Sequence, residues 1–383
     1  MRCHEMEECY ELSLTPNYVS DWTFCDAIRE LIQNGTDQEI IDKSNTFSLT
    51  YLRYENKLIL RNEKSFLKIN TLLLGSSSKS NNNEVVGKFG EGYKIAALVL
   101  NRLGKKITIY NNENNEIWEA RFKDSEKWHE KVLSFYISKN ETSDSGLDII
   151  VEHVSEAEYA RLKDVWLELN HVPCRIKTEY GEILLGEEGD FNPFSGNVYV
   201  NGLAVSYSGE LEYGYNFKPQ YITLERDRKS CNNWDAKVIT SKMICEAMVK
   251  GSLSIKQVGA LVIKNADDIY QLDVIDGGNP DKVKRLLIEE FDRQNPTSYS
   301  IPVSTQEHAD IVRRYGGNPV IVPQTFASAI RQEIDRRMEA LISAPMSNRL
   351  TLKEKFQRWC DLYGAKAGCI PQEELQNLID ELN

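Results

Sequence analysis

The sequence lacks the features that mark membrane, secreted or nucleic-acid-coating proteins. No apolar run approaches the roughly 20 residues that a membrane-spanning helix needs, and the first residues lack the basic-then-apolar layout of a signal peptide. The eight cysteines include no CxxC pair, so we expect reduced thiols and no disulfide framework. A net charge of −12 argues against sequence-independent binding of nucleic acid by the whole surface. We therefore expect a cytoplasmic protein with no membrane partner.

The length and the order of predicted elements indicate several domains in one soluble chain. With 383 residues, the chain is long enough for two or three hydrophobic cores. We expect three domains, over residues 1–155, 156–250 and 251–383. Helices followed by hairpin-connected strands predict an α+β fold for the first, a two-layer sandwich with a mainly antiparallel sheet. The second domain is predicted to be β-rich, and the third to be a small α/β and helical module.

Local signals divide the first domain into elements. Apolar spacing predicts a helix over residues 22–42, with Asp21 as its cap. The strands "FSLTYLRY" and "KLILRN" follow, and then a helix over "FLKINTLLLG". Another helix, "YKIAALVLNRLG", ends near Gly104, and the Asn-rich "NNENNE" predicts a hairpin between two later strands. A capping box of Ser155 and Glu158 predicts the helix that leads out of the domain.

A polar stripe lies on the first helix, within "RELIQNGTD". Spacings of four and three residues place Glu30, Asn34 and Asp37 on one side of the helix, with Gly35 among them. Most such stripes are solvated faces of amphipathic helices. The stripe therefore indicates a binding site only in combination with a second motif.

The second motif is the glycine pattern G-x-x-G-x-G in "VVGKFGEGYKIAALVL". Glycine lets the main chain approach a phosphate closely, and amides at a helix start can bind phosphate oxygens. The pattern is neither a Rossmann fingerprint nor a Walker loop, because no βαβ unit and no Gly-Lys-Ser/Thr accompany it. By itself it is also consistent with a flexible turn before a helix.

Together the two motifs resemble the GHKL ATPases, a group that includes gyrase, heat-shock chaperones, histidine kinases and mismatch-repair proteins. "ELIQNGTD" is similar to the chaperone segment, and MORC-type ATPases share the same two-domain layout. The resemblance covers roughly residues 20–155. It implies the Bergerat ATP-binding fold, with ATP and Mg²⁺ as ligands. It also implies ATP hydrolysis in a cycle of lid closure that brings two protomers, or two domains, together.

The resemblance also implies a role for individual residues. Glu30 would deprotonate the attacking water, Asn34 would give an oxygen to Mg²⁺, and Asp37 would shape the site. The nucleotide-binding lid and the helix start would comprise Lys79, Gly87, Lys88, Phe89, Gly90, Glu91, Gly92, Tyr93 and Lys94. Arg226 and Arg228 resemble the second-domain basic residue that reaches the γ-phosphate, although surface ion pairs are the alternative.

The sequence departs from the family where the adenine base would bind. The family has an Asp-x-Gly-x-Gly segment after a strand, whereas this chain reads "LILRNEKSF", with Asn62 and Glu63 and no glycine. Either residue could take the place of the missing aspartate. The departure leaves a second function open, a nucleotide-sensing module that binds without hydrolysis. No motif indicates whether the client of an ATP cycle would be a protein or DNA.

Overall fold

The computed structural model describes residues 7–73, 92–187, 191–225, 229–264, 266–269, 280–297 and 299–343. The chain divides into two compact units, Met1–Ile239 and Thr240–Asn383. We describe each unit by itself. The finer division into three domains stays a prediction.

A seven-stranded antiparallel sheet is the framework of the first unit. Its strands in chain order are β1 (Glu8–Glu11), β2 (Phe47–Leu52), β3 (Lys57–Asn62), β4 (Lys106–Asn111), β5 (Glu116–Ser125), β6 (Glu130–Lys139) and β7 (Leu147–Glu152). In space the order is β1-β6-β5-β4-β7-β3-β2, and every neighbouring pair is antiparallel. Alternation along β7 buries Leu147, Ile149 and Val151, so one face of the sheet is apolar.

Two helices cover this apolar face, and they carry both sequence motifs. Helix α1 (Phe24–Ile41) and helix α2 (Gly92–Arg102) pack against each other and against the central strands. Their apolar stripes, including Ile28 and Leu98, join the sheet in one hydrophobic core. The prediction of an α+β fold with a mainly antiparallel sheet is confirmed.

The helix predicted over residues 22–42 is present, but Thr23 caps it and Asp21 does not. The Thr23 hydroxyl accepts a hydrogen bond from the Asp26 amide, and the Asp26 carboxylate accepts one from the Thr23 amide at 2.7 Å. Thr23 is the better cap because this reciprocal box satisfies two backbone donors at once. The predicted box of Ser155 and Glu158 is confirmed at the start of α3 (Glu156–Arg161).

The helix predicted over "FLKINTLLLG" is wrong in its described part. Only a single 3-10 turn forms, over Ile69–Leu72, and residues 66–68 are not helical. The buried Asn111 side chain explains this, because it accepts a hydrogen bond from the Leu67 amide and donates one to the Leu67 carbonyl. Both main-chain groups of Leu67 are thereby bonded outside a helix. The predicted hairpin after β4 is confirmed.

A second, five-stranded sheet completes the first unit, in line with the β-rich segment predicted after residue 155. Its strands are β8 (Cys174–Lys177), β9 (Gly181–Leu185), β10 (Val198–Val200), β11 (Leu203–Val205) and β12 (Gly214–Phe217). The spatial order is β11-β10-β12-β9-β8, in which only the β10–β12 pair is parallel. Tyr215 and Phe217 are buried and stack on each other in its core.

The second unit is mainly helical, with a small α/β element. Its helices are α5 (Ile255–Lys264), α6 (Pro280–Gln294), α7 (Gln306–Arg314), α8 (Gln324–Ala329) and α9 (Arg331–Ser343), while α4 (Asn233–Val249) crosses the boundary between the units. Strands β13 (Ser300–Val303) and β14 (Asn318–Ile321) are parallel, and α7 connects them. In the described part of the chain, no helix combines the length and the apolar character needed to cross a bilayer.

Candidate functional site

The polar stripe of α1 is buried, so it is not a solvated helix face. The side chain of Glu30 is 9% exposed and Asp37 is fully buried, while Asn34 is half-buried. Removing a carboxylate from water is costly unless polar groups surround it. Glu30 and Asp37 both have polar interactions in this fold. The structure therefore concentrates polar groups where a simple amphipathic helix would place them in solvent.

The start of α2 lies directly against this stripe. A methyl group built on Gly92 would lie 2.3 Å from Oε2 of Glu30 and 3.3 Å from Nδ2 of Asn34. An added methyl group would force the Glu30 carboxylate, or the start of α2, to shift, so the close approach favours glycine here. The structure thus brings together one glycine of the second motif and two polar residues of the first.

Gly35 has a different role, which explains why a glycine interrupts α1. Its Cα faces the ring of Phe47 on β2, and an added methyl group would lie 2.2 Å from Cδ2 of that ring. The absence of a side chain lets the helix approach the strand closely. Gly35 therefore allows α1 to pack closely on the sheet, which fixes the distance of Asn34 and Glu30 from the strands.

Asn62, at the end of β3, is bonded to the same helix. Its Nδ2 donates to the Gly35 carbonyl at 3.1 Å, and the side chain is buried. Glu63 is exposed, and its amide donates to the Thr46 carbonyl. Asn62 therefore lies beside the polar stripe with its amide nitrogen engaged. Contact of either residue with adenine stays a prediction.

Lys94 and Tyr93 attach the chain before the glycine loop to the start of α2. The Lys94 ammonium is fully buried and donates to the carbonyls of Thr71 and Leu73 at 2.8 and 2.7 Å. The Tyr93 hydroxyl bonds to the Thr71 hydroxyl at 2.9 Å. Burial raises the pKa of Tyr93, although the Thr71 hydrogen bond opposes that rise, so the phenol is neutral at ordinary pH. These contacts hold residues 71–73 beside the site.

Several predicted site residues lie outside the described residues. They are Lys79, Gly87, Lys88, Phe89, Gly90 and Glu91 of the lid, together with Arg226 and Arg228. Their roles stay predictions. Within the described ranges no cluster of three His, Cys, Asp or Glu side chains approaches metal-site geometry.

Sequence reasoning missed the residues that bond α1 to the second sheet. Arg29, the neighbour of Glu30, donates from its guanidinium to the Ala204 carbonyl on β11. Lys229 forms an ion pair with Asp26 at 2.7 Å and lies over the ring of Trp22. Burial of Asp26 opposes ionisation, but the hydrogen bonds from Lys229 and Thr23 outweigh it and lower the pKa of that carboxyl. No spacing rule in the sequence pairs residues this far apart.

Comparison with known proteins leaves the family open. No family model matches the chain. An uncharacterized protein of Mycoplasma pneumoniae (strain ATCC 29342 / M129 / Subtype 1) is 26% identical over 223 residues, which is 55% of this chain and 87% of the relative. The ATPase region of Saccharomyces cerevisiae topoisomerase II, bound to ICRF-187 (dexrazoxane), is 11% identical with a TM-score of 0.29. That match covers 47% of this chain and 62% of the other, less than two thirds of its length, and decides nothing about activity.

Proposed function

We propose that the first unit binds an adenine nucleotide with Mg²⁺ between α1 and the start of α2, and hydrolyses it. The observation that carries this proposal is the close approach of Gly92 to Glu30 and Asn34. A triphosphate requires main-chain amides that no side chain blocks, and the start of a helix at a glycine offers them. An attacking water requires a general base, and the buried carboxylate offers one, with a carboxamide beside it.

Glu30 is the group that would take a proton from the attacking water. Because Glu30 is 9% exposed, few bulk water molecules reach its carboxylate, and a water bound beside the nucleotide would be its main hydrogen-bond partner from solvent. Its position beside the first residue of α2 places it near amides that can bind phosphate oxygens. General-base catalysis of this type contributes about 10²–10⁴-fold to a rate.

Asn34 is the residue that would hold Mg²⁺. This cation prefers oxygen ligands and usually keeps several waters, taking its remaining ligands from substrate phosphates. One half-buried carboxamide beside Glu30 fits that requirement, and an all-protein carboxylate cage is not needed. When bound, Mg²⁺ would neutralise charge on the phosphates.

The bonds from α1 to the second sheet support coupling of the nucleotide to a change of shape. Arg29 and Asp26 belong to the helix that carries Glu30. Arg29 bonds to β11, and Asp26 bonds to Lys229, whose carbonyl accepts hydrogen bonds from Ser206, the residue that follows β11. A ligand that shifts α1 would change both contacts. A conformational cycle is driven when a ligand binds one of two conformations of the protein more tightly than the other. We propose lid closure, pairing of protomers and action on a macromolecular client as the use of this coupling.

Calorimetry and phosphate release on purified protein test the proposal. We expect uptake of ATP with Mg²⁺, and slow release of phosphate. Glu30→Gln should retain nucleotide binding and lose turnover by about 100-fold or more. Asn34→Ala should weaken binding only when Mg²⁺ is present. Glu113→Gln, which removes an exposed carboxylate from the turn after β4, is the matched control and should change neither quantity.

The outcomes separate the two candidate functions. Binding without any turnover by the unsubstituted protein would favour a nucleotide-sensing module. No uptake of ATP, ADP or GTP would reject the site altogether. Undiminished phosphate release by Glu30→Gln would reject Glu30 as the base.

A further inference from the structure

A cavity of about 590 Å³ in the second unit carries an excess of positive charge. Helix α6 contributes Lys284 and Arg285 to its wall, and helix α9 contributes Arg331 and Arg336. Glu333 is the one acidic residue among the lining side chains. Four cations and one carboxylate leave a local charge of +3, in a chain whose net charge is −12.

The distribution of ion pairs leaves three of these cations available. Arg336 donates two hydrogen bonds to Glu333, each 2.8 Å long, and Glu333 also accepts one from Arg337. Within the described part of the chain, the side chains of Lys284, Arg285 and Arg331 form no ion pair. Arginines elsewhere in this unit do so, such as Arg293 with Glu290 and Arg313 with Asp310.

Such an arrangement favours the binding of an anion. Like charges that share one concavity repel, and the repulsion is greater where protein replaces water. Lys284 is half-buried, whereas Arg285 and Arg331 are exposed enough to reorient toward a ligand. Arginine presents planar donors that match phosphate oxygens in pairs, and a charge-assisted bond of this kind is stronger than a neutral one.

The shape and the surroundings of the cavity favour a small ligand. Its volume lies within the range of about 300–1,000 Å³ that is typical of small-molecule sites. The half-buried Ile288 adds apolar surface beside the cations, which suits an organic group. A neighbouring cavity shares Glu333 and Arg336 and also contains Asp292 and Arg337, which form an ion pair at 2.8 Å. The excess of positive charge therefore does not continue into this neighbouring cavity, which favours a small anion over a long polyanion.

We propose that this basic cavity, lined by Lys284, Arg285, Arg331 and Arg336, binds a small phosphate ester through its phosphate group. The ester's organic part would lie on Ile288. The proposal is independent of the nucleotide site in the first unit, because every residue that carries it belongs to the second.

Phenyl phosphate is a suitable probe, with ³¹P NMR and calorimetry as readouts on the full chain. We expect saturable binding of phenyl phosphate, weaker binding of inorganic phosphate and no binding of phenol. Lys284→Gln and Arg331→Gln should each lower the affinity about tenfold, the effect of one lost charge-assisted contact. Arg331→Lys keeps the positive charge and should therefore retain part of the affinity for phenyl phosphate. Arg313→Gln removes an arginine that does not line the cavity and should bind like the unsubstituted protein.

Thermal unfolding of each variant shows that a loss of binding is not a loss of fold. Equal affinity in the cavity variants, or no binding of phenyl phosphate by the unsubstituted protein, would overturn the proposal. Binding of a short DNA duplex that the same substitutions abolish, without binding of phenyl phosphate, would overturn it in favour of nucleic acid. ATP turnover that is unchanged in Arg331→Gln, with phosphate-ester binding lost, would support two separate sites.

Discussion

Gly92→Ala is the most informative single change in the first unit, because its effect follows from a distance. The added methyl group would lie 2.3 Å from Oε2 of Glu30, whereas ordinary contacts of a Cβ atom begin near 3.4 Å. The difference of 3.4 − 2.3 = 1.1 Å is the distance by which the carboxylate, or the start of α2, must retreat. Nδ2 of Asn34, at 3.3 Å, needs to move only slightly.

Two magnitudes follow from this displacement. Misplacing a catalytic group by about 1 Å costs about 100-fold in rate, so phosphate release should fall by that factor while nucleotide binding falls much less. The unfolding free energy should fall by about 1 kcal/mol or less, because the colliding Glu30 carboxylate is the end of a flexible side chain and alanine has a higher helix propensity than glycine. Urea unfolding and phosphate release, measured on one preparation, give both values.

Two further variants make the test specific. Gly259→Ala is the matched control, because a methyl group there meets no atom within 4 Å and α5 should be unchanged or slightly stabilised. Glu30→Asp added to Gly92→Ala shortens the side chain that collides, and should recover part of the lost stability. A Gly92→Ala protein that keeps its full stability and full turnover would refute the close approach on which the site depends.

The remaining predictions concern the seating and the capping of α1. Gly35→Ala places a methyl group 2.2 Å from the Phe47 ring, so it should lower the unfolding free energy by about 1–3 kcal/mol, and Phe47→Leu in the same chain should relieve the collision, measured by urea unfolding. Asp26→Asn weakens the cap and the Lys229 ion pair, and should cost about 1 kcal/mol at neutral pH. Because the folded-state pKa of Asp26 is below its ordinary value of 3.8, this contribution is complete above that pH and is lost as the pH falls through the folded value. The stability difference between the two proteins should therefore vanish in acid, and a difference that persists there would contradict the role of the charge.

Much of the first unit could be predicted from local pattern. Each of these patterns extends over only a few residues and can therefore be recognised in the sequence: the apolar spacing of α1, the alternation in the strands and the polar turn after β4. The cap of α1 was predicted wrongly as Asp21, because Asp and Thr are both residue types that cap helices and the structure has Thr23 there. Only the reciprocal bond with Asp26 decided between them.

Other features depend on residues far apart in the chain. Leu67 is held out of a helix by Asn111, and the basic cavity of the second unit combines α6 with α9. In neither pair does the local sequence around one member indicate that it will contact the other. For the same reason, the bond from Arg29 to Ala204 could not be predicted from spacing.

The sequence by itself determined that Glu30, Asn34 and Asp37 share one helical face and that a glycine stands at the start of α2, since helical periodicity and glycine's missing side chain are local properties. Only the tertiary structure decided that this face is buried and that Gly92 lies against it. Packing α1 and α2 side by side on one sheet sets that distance, and packing depends on the fit of surfaces that the linear order does not record.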